Sequence, residues 1–260
     1  MSLIQSLEKN GRFLFKYRGQ IPVLFFVLCL PLIYFGDYDF LFCCHKNCQS
    51  AFINITLVFS IAVSLLGFIV RAYTIGTTPR GTSGRNTKKQ VAKQLNTTGI
   101  YSIVRHPLYL GNYLMWAGLL IFTMNIYIFI IVSLLYWIYY ERIMFMEERF
   151  LEKQFGEQFT EWSQNVPTFF PAFSKFVKSD IPFSFKAVLR REYSGFFAMV
   201  FSYTITDYWL TFTFMQHHFL EEICWIRPSL YALCVAFVIM LVLRTLKHST
   251  TLLNPDHTRD

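Results

Sequence analysis

Leu108–Phe145 reads LYLGNYLMWAGLLIFTMNIYIFIIVSLLYWIYYERIMF, two apolar runs with only Asn125 between them. A helix of about 20 apolar residues crosses the ~30 Å hydrocarbon core of a bilayer. Two such runs joined by one polar residue therefore describe a tight helical hairpin in a membrane, Leu108–Met124 and Ile126–Phe145. On either side lie four more runs of the same character: Ile21–Phe35, Phe52–Ala72, Gly195–Met215 and Ile226–Leu246. The expected fold is all-α and integral to the membrane. It has about six transmembrane helices, of which the third and fourth form the hairpin. No repeat, low-complexity stretch or second-domain signal breaks the pattern, so 1–260 reads as a single polytopic membrane domain.

Composition agrees. Charged residues make up 15% of the chain, against about 25% in soluble domains. The 29 Phe and 15 Tyr suit lipid-facing helices and interfacial aromatic belts. A net charge of +8 does not point to nucleic acid, because the cations lie between apolar runs, where anionic headgroups attract them. With the N-terminus in the cytoplasm, only Lys46 and Arg227 of the 24 Lys and Arg fall on the far side. The positive-inside rule therefore places both termini in the cytoplasm. Lys9, Arg12, Lys16 and Arg18 precede the first run, but Pro22 and Pro31 interrupt it and no small-residue cleavage site follows. It reads as a retained span rather than a signal peptide. Cys43, Cys44 and Cys48 crowd one loop with His45. Adjacent cysteines are poorly spaced for a metal, which leaves a disulfide or free thiols ahead of a metal site.

The chemistry gathers between the second and third runs. Gly76–Leu110 reads GTTPRGTSGRNTKKQVAKQLNTTGIYSIVRHPLYL, polar, basic and glycine-rich. It holds no phosphate loop, since Gly84 is followed by Arg85 and Asn86, and no dinucleotide fingerprint. Pro107 suits a first helical turn, which puts Arg105 and His106 at a helix N-terminus, where free N–H groups favour an anion. The returning arm of the hairpin carries Glu147 and Glu148 back to the same end. Taken singly, these groups read as a snorkelling Arg, a capping His and a solvated helix end. Their convergence from separate segments reads as a site.

A family pattern runs through these residues. Gly99-Ile100-Tyr101-Ser102-Ile103-Val104-Arg105-His106-Pro107-Leu108-Tyr109-Leu110-Gly111 resembles the G-x-Y-x-x-x-R-H-P-x-Y-x-G motif of the isoprenylcysteine carboxyl methyltransferase and phospholipid methyltransferase superfamily. Glu147-Glu148, Leu151, Phe155-Gly156, Phe159, Trp162, Val166-Pro167 and Pro171 follow the family's second pattern, with Phe159 and Trp162 where Tyr is frequent. Together they make 99–171 a methyltransferase motif region. The resemblance implies an S-adenosylmethionine pocket on the cytoplasmic face. By carry-over its cofactor-binding residues are Gly99, Tyr101, His106, Pro107, Tyr109, Gly111, Glu147 and Glu148. Arg105 and His106 act as positioning groups, with no general base. The ligand's chemistry agrees: carboxylates suit its ammonium, while Arg105, His106 and the helix N-terminus suit its carboxylate. Tyr101, Tyr109 and Tyr113 offer faces to a sulfonium or an adenine.

The superfamily methylates lipidic acceptors. Thr77–Tyr101 resembles the bacterial lipid A phosphate methyltransferases more than the eukaryotic prenylcysteine enzymes. That implies O-methylation of a lipid A phosphate in a bacterial inner membrane, with a prenylcysteine carboxylate or a phospholipid amine as alternatives. An anionic oxygen needs no base, and its reaction with a sulfonium destroys charge, so a dry site favours it. Candidate groups for the acceptor's anion are Arg71, Arg80, Arg85, Arg190 and Arg191, the last two with Lys186 on an interfacial helix ahead of the fifth span. Two other classes compete. A nicotinamide-dependent sterol-type reductase would carry a different C-terminal motif. A transporter would place ionisable groups inside spans, and Asp207 in the fifth span is the one such acid.

Overall fold

The computed structural model describes residues 2–42, 46–79, 92–217 and 226–254; for Leu3, Phe42 and 46–50 it describes the backbone alone. Cys43, Cys44, Arg80 and Arg85 lie outside the described residues, as does the side chain of Cys48.

The chain opens with α1, Leu3–Lys16. Ser2 caps it: its hydroxyl accepts from the Gln5 N–H, while the Gln5 side chain accepts from the Ser2 N–H, a reciprocal box that satisfies two orphan donors. The helix is amphipathic. Phe15 is buried, whereas Lys9 and Arg12 are exposed. After a short turn the chain enters α2, Ile21–Tyr34, at 82° to α1. That elbow has the form of an interfacial helix leading into a membrane-crossing one. A short α3, Asp39–Phe42, precedes α4, Lys46–Gly76.

The hairpin forms where the sequence places it, as α5, Pro107–Phe122, and α6, Ile126–Phe155. Asn125 is the cap of α6, accepting from the Tyr127 and Ile128 N–H groups at 3.0 and 3.2 Å. Met124, at φ 53°, makes the reversal. Gly156, also at φ 53°, ends α6 and starts α7, Glu157–Asn165. Two longer helices follow, α8, Phe185–Gln216, and α9, Pro228–Ser249. All six apolar runs are thus helical, in α2, α4, α5, α6, α8 and α9. Among the described residues three helices are long and apolar enough to cross a membrane: α4 from Ala51, α6 and α9. Counting α1 and α2 as one broken span makes four. One expectation changes in kind. Lys186, Arg190 and Arg191 do not form an interfacial helix ahead of the span; they occupy the first two turns of α8, which continues without a break.

Small residues set the closest approach, between α4 and α5. A Cβ on Gly67 would lie 2.5 Å from the Gly111 carbonyl, and one on Gly118 would collide with the Ser64 hydroxyl. Ser64 donates across this contact to the Met115 carbonyl at 2.8 Å. Backbones that touch in this way gain dispersion contacts that lipid tails cannot supply. Around the hairpin turn, Cys29, Ile33, Leu120, Phe122, Ile128, Val132, Leu210 and Phe214 pack α2, α5, α6 and α8 into one core. At the other end Phe15, Tyr109, Tyr136, Tyr139, Tyr140 and Phe169 form an aromatic cluster under the site. Ile55, Val58 and Ile69 on α4, and Val235, Val238 and Val242 on α9, stay exposed, as lipid-facing residues would.

Candidate functional site

Two distant segments build the site by zipping their backbones together. Gly99, at φ 63°, donates to the Val177 carbonyl at 2.8 Å, and Val177 returns a bond to the Ser102 hydroxyl at 2.9 Å. Farther along, Arg105 N–H reaches the Pro167 carbonyl, His106 N–H that of Thr168, and Ala172 N–H that of Ile103. The Val166-Pro167 step therefore works through its backbone, holding the Arg105-His106 corner where α5 begins. Val104 is fully buried beneath it.

That corner meets the end of α6. His106 is 7% exposed and sits between the two glutamates. Its Nε2 is 2.9 Å from Glu148 Oε1 and its Nδ1 3.8 Å from Glu147 Oε2. Arg105 Nε lies 3.3 Å from the same Glu148 oxygen, and Arg105 also donates to the Thr168 hydroxyl. Tyr109 donates to Glu147 Oε1 at 2.8 Å, and Arg18, just after α1, approaches that oxygen at 3.8 Å. Glu148 is thereby fixed in orientation by Arg105 and His106, and Glu147 by His106, Tyr109 and Arg18. Tyr101 packs nearby, its backbone carbonyl accepting from Trp162 Nε1 at 3.1 Å. Burial pushes the Tyr101 phenol well above its ordinary range, helped by the Glu147 charge, so it stays neutral at any physiological pH.

These groups line one end of a cavity of about 730 Å³, within the range of small-molecule sites. Asn96, Tyr101, Arg105, His106, Glu147, Glu148 and Trp162 form the polar end; Val23, Phe26, Met115, Trp116, Leu119 and Met199 line an apolar branch. Arg71, Asn112 and Glu192 line the cavity too. Arg71 makes a two-pronged ion pair with Glu192, Nε to Oε2 and Nη2 to Oε1, both at 2.8 Å. Its Nη1 donates to Asn112 Oδ1 at 2.6 Å.

Of the residues expected from the sequence, Tyr101, Arg105, His106, Pro107, Tyr109, Glu147, Glu148, Arg71 and Arg191 line this cavity. Gly99 and Gly111 do not; the first serves a positive-φ turn and the second gives room to α4. Arg190 points elsewhere, donating to Asn254 Oδ1. The structure adds Arg18, Asn112 and Glu192. Glu192 had a visible signal, being the only acid between Asp180 and Asp207, set directly after two arginines. The polar end suits S-adenosylmethionine, with oriented carboxylates for an ammonium, aromatic rings for a sulfonium or adenine, and Arg105 for a carboxylate. Among the described residues no three His, Cys, Asp or Glu side chains are placed to hold a metal ion.

Residues 55–158, from α4 into α7, match the phospholipid methyltransferase family. Over 83 residues the chain is 36% identical to a nickel-cobalt-cadmium resistance protein of Alcaligenes xylosoxydans xylosoxydans, covering 32% of this chain and 38% of that protein. It is 31% identical over 115 residues to protein-S-isoprenylcysteine O-methyltransferase B of Arabidopsis thaliana, covering 44% and 58%. With the protein-S-isoprenylcysteine O-methyltransferase of Schizosaccharomyces pombe it shares 27% over 124 residues, covering 45% and 52%. In each case the chain spans less than two thirds of the relative's length. No solved structure matches the chain.

Proposed function

We propose, from the match of residues 55–158 to the phospholipid methyltransferase family and the likeness to two protein-S-isoprenylcysteine O-methyltransferases, that this chain is an integral membrane methyltransferase. It takes its methyl group from S-adenosylmethionine and delivers it to an anionic oxygen on a lipid. The observation that carries this reading is the continuity of one cavity, from the oriented carboxylates of Glu147 and Glu148 to the apolar branch between α2, α5 and α8.

S-Adenosylmethionine, when bound, supplies a methyl group activated on a sulfonium. The protein's own part is to bind, align and exclude water. Glu147 and Glu148 hold the cofactor's ammonium, and their existing bonds to His106, Arg105 and Tyr109 aim them before it arrives. Arg105 and the start of α5 take its carboxylate. Tyr101 stays a neutral ring, with Trp162 braced on its backbone. No side chain is required as a base, because the acceptor oxygen is already an anion. Alignment and desolvation are then the main contributions. The positive-inside pattern supports a cytoplasmic polar end with both termini on that side.

Two features weigh on the acceptor. Likeness to the plant and yeast protein-S-isoprenylcysteine O-methyltransferases supports a prenylcysteine-like carboxylate. The resemblance of Thr77–Tyr101 to lipid A phosphate methyltransferases supports a phosphate. The test is to incubate membranes and purified protein with cofactor labelled on the transferred methyl. Label is expected in the lipid extract. A carboxylate ester loses it as methanol in mild base; a phosphate ester keeps it. Absence of label from every lipid, together with absence of cofactor binding, overturns the proposal.

A further inference from the structure

We propose that Arg71 is the group that grips the acceptor's acidic head, and that Glu192 holds its place until the lipid arrives. This rests on the function proposed above and says how the same cavity chooses its substrate. Position is the first argument. Along α5 the cavity wall reads His106 and Pro107, then Asn112, then Met115, Trp116 and Leu119. At 1.5 Å per residue, Asn112 lies about 7 Å past Pro107. Arg71 donates to Asn112, so its guanidinium stands between the polar end and the apolar branch. A lipid with its tail in the apolar branch must place its head there to face a methyl donor at the polar end.

Burial is the second argument. Arg71 and Glu192 are 18% and 2% exposed. An ion pair taken out of water at membrane depth costs more than a packed apolar pair of the same volume, so it calls for a reason beyond stability. Both partners also line the cavity, where a purely structural pair could be sealed away.

Geometry is the third. The two-pronged contact leaves the guanidinium fork presented to a planar pair of oxygens. Carboxylate and phosphate heads offer the same arrangement. Glu192 is thus an internal likeness of the acceptor's head. Displacing it exchanges one anion for another on Arg71. A cationic amine head finds no such exchange. Gly111, the last residue of the R-H-P-x-Y-x-G motif, fixes the arrangement, because the stem of Arg71 crosses it: a Cβ there would lie 2.6 Å from Arg71 Cγ.

The test needs no methyl transfer. Full-length protein in lipid nanodiscs is titrated with dodecyl phosphate, dodecanoate and dodecyltrimethylammonium, following the emission of Trp116 in the cavity wall. Both anions are expected to bind and the cation to bind at least about tenfold more weakly. Arg71→Gln should weaken both anions by about tenfold or more, whereas Glu192→Gln should tighten them several-fold by removing the competitor. The paired Arg71→Gln/Glu192→Gln chain keeps shape and neutrality and should bind anions as poorly as Arg71→Gln alone. Cofactor affinity should stay within about threefold in all of them. Wild-type anion affinity in the paired chain, or a cation bound as tightly as the anions, overturns the assignment. The tighter anion names the head. Labelled transfer in the same preparation reports separately on the catalytic reading: anion binding without transfer leaves Arg71 in place and removes the proposed reaction.

Discussion

Helix α8 carries two acids, and each takes an arginine in a two-pronged grip. Glu192 holds Arg71 at 2.8 Å, and Asp207 holds Arg227 at 2.7 Å. The chemistry is the same, yet the surroundings are not. The first pair joins residues 121 apart, from α4 and α8, and faces the cavity. The second joins residues 20 apart, from α8 and the start of α9, and lies off the cavity. Asp207 also accepts from the Ser229 hydroxyl at 2.6 Å. Three donors from one turn make it a latch for the α8–α9 pair. An ionisable group in an apolar helix signals function by default, and Asp207 alone would have suggested transport. What separates the two acids is whether a ligand can reach them.

Four substitutions test that contrast. The largest effect belongs to the cavity's polar end. Glu148→Ala removes the partner of both His106 and Arg105, so cofactor affinity should fall by about 2–4 kcal/mol, roughly 30- to 1,000-fold. Equilibrium binding of labelled S-adenosylmethionine measures it, and membrane insertion should be unchanged. Asp207→Ala should show the opposite signature. It leaves Arg227 without its acid, which costs about 3–5 kcal/mol in a fully buried pair. With Arg227 still 30% exposed, about 2–3 kcal/mol is expected. The readout is a lowered Tm with wild-type affinity for cofactor and amphiphile; a change in either affinity would erase the distinction between the pairs. Gly111→Ala should combine the two signatures. Its Cβ would press on Arg71 Cγ at 2.6 Å and on the Gly67 carbonyl at 2.8 Å, costing about 1–3 kcal/mol. Anionic amphiphiles should bind more weakly than cofactor does. Smallest is Trp162→Phe, which keeps the ring and loses only the donor to the Tyr101 carbonyl. About 1 kcal/mol, or fivefold in cofactor affinity, is expected.

The hairpin and the convergence of Arg105, His106, Glu147 and Glu148 were legible in the sequence for a simple reason. Both follow from local signals: unbroken apolar runs, a single Asn between two of them and a helix-starting Pro. The partner of Arg71 was not legible. Glu192 lies 121 residues away, and only packing of α8 on α4 brings them together. The role of Val166-Pro167 was hidden too, because a backbone bond to Arg105 leaves no side-chain signature. Charge counting recorded Lys9, Arg12 and Lys16 as a basic flank. It could not show that they ride on a capped helix set at 82° to the next. Arg190 and Arg191 are neighbours in sequence but project to different sides of α8, so only one of them lines the cavity.

Helix α5 has 16 residues, about 24 Å at 1.5 Å per residue, against a hydrocarbon slab of about 30 Å. With the α5–α6 turn at one face, His106 stops about 6 Å short of the other. The groups around His106 would then sit in a dimple below the headgroup plane. On the proposed function, a lipid would have no need to climb out of its leaflet to be modified; it would slide sideways, and only the small polar donor would cross into the recess. Such a dimple is shallower in a thin bilayer and deeper in a thick one. Membrane thickness itself becomes a dial on the encounter between donor and acceptor.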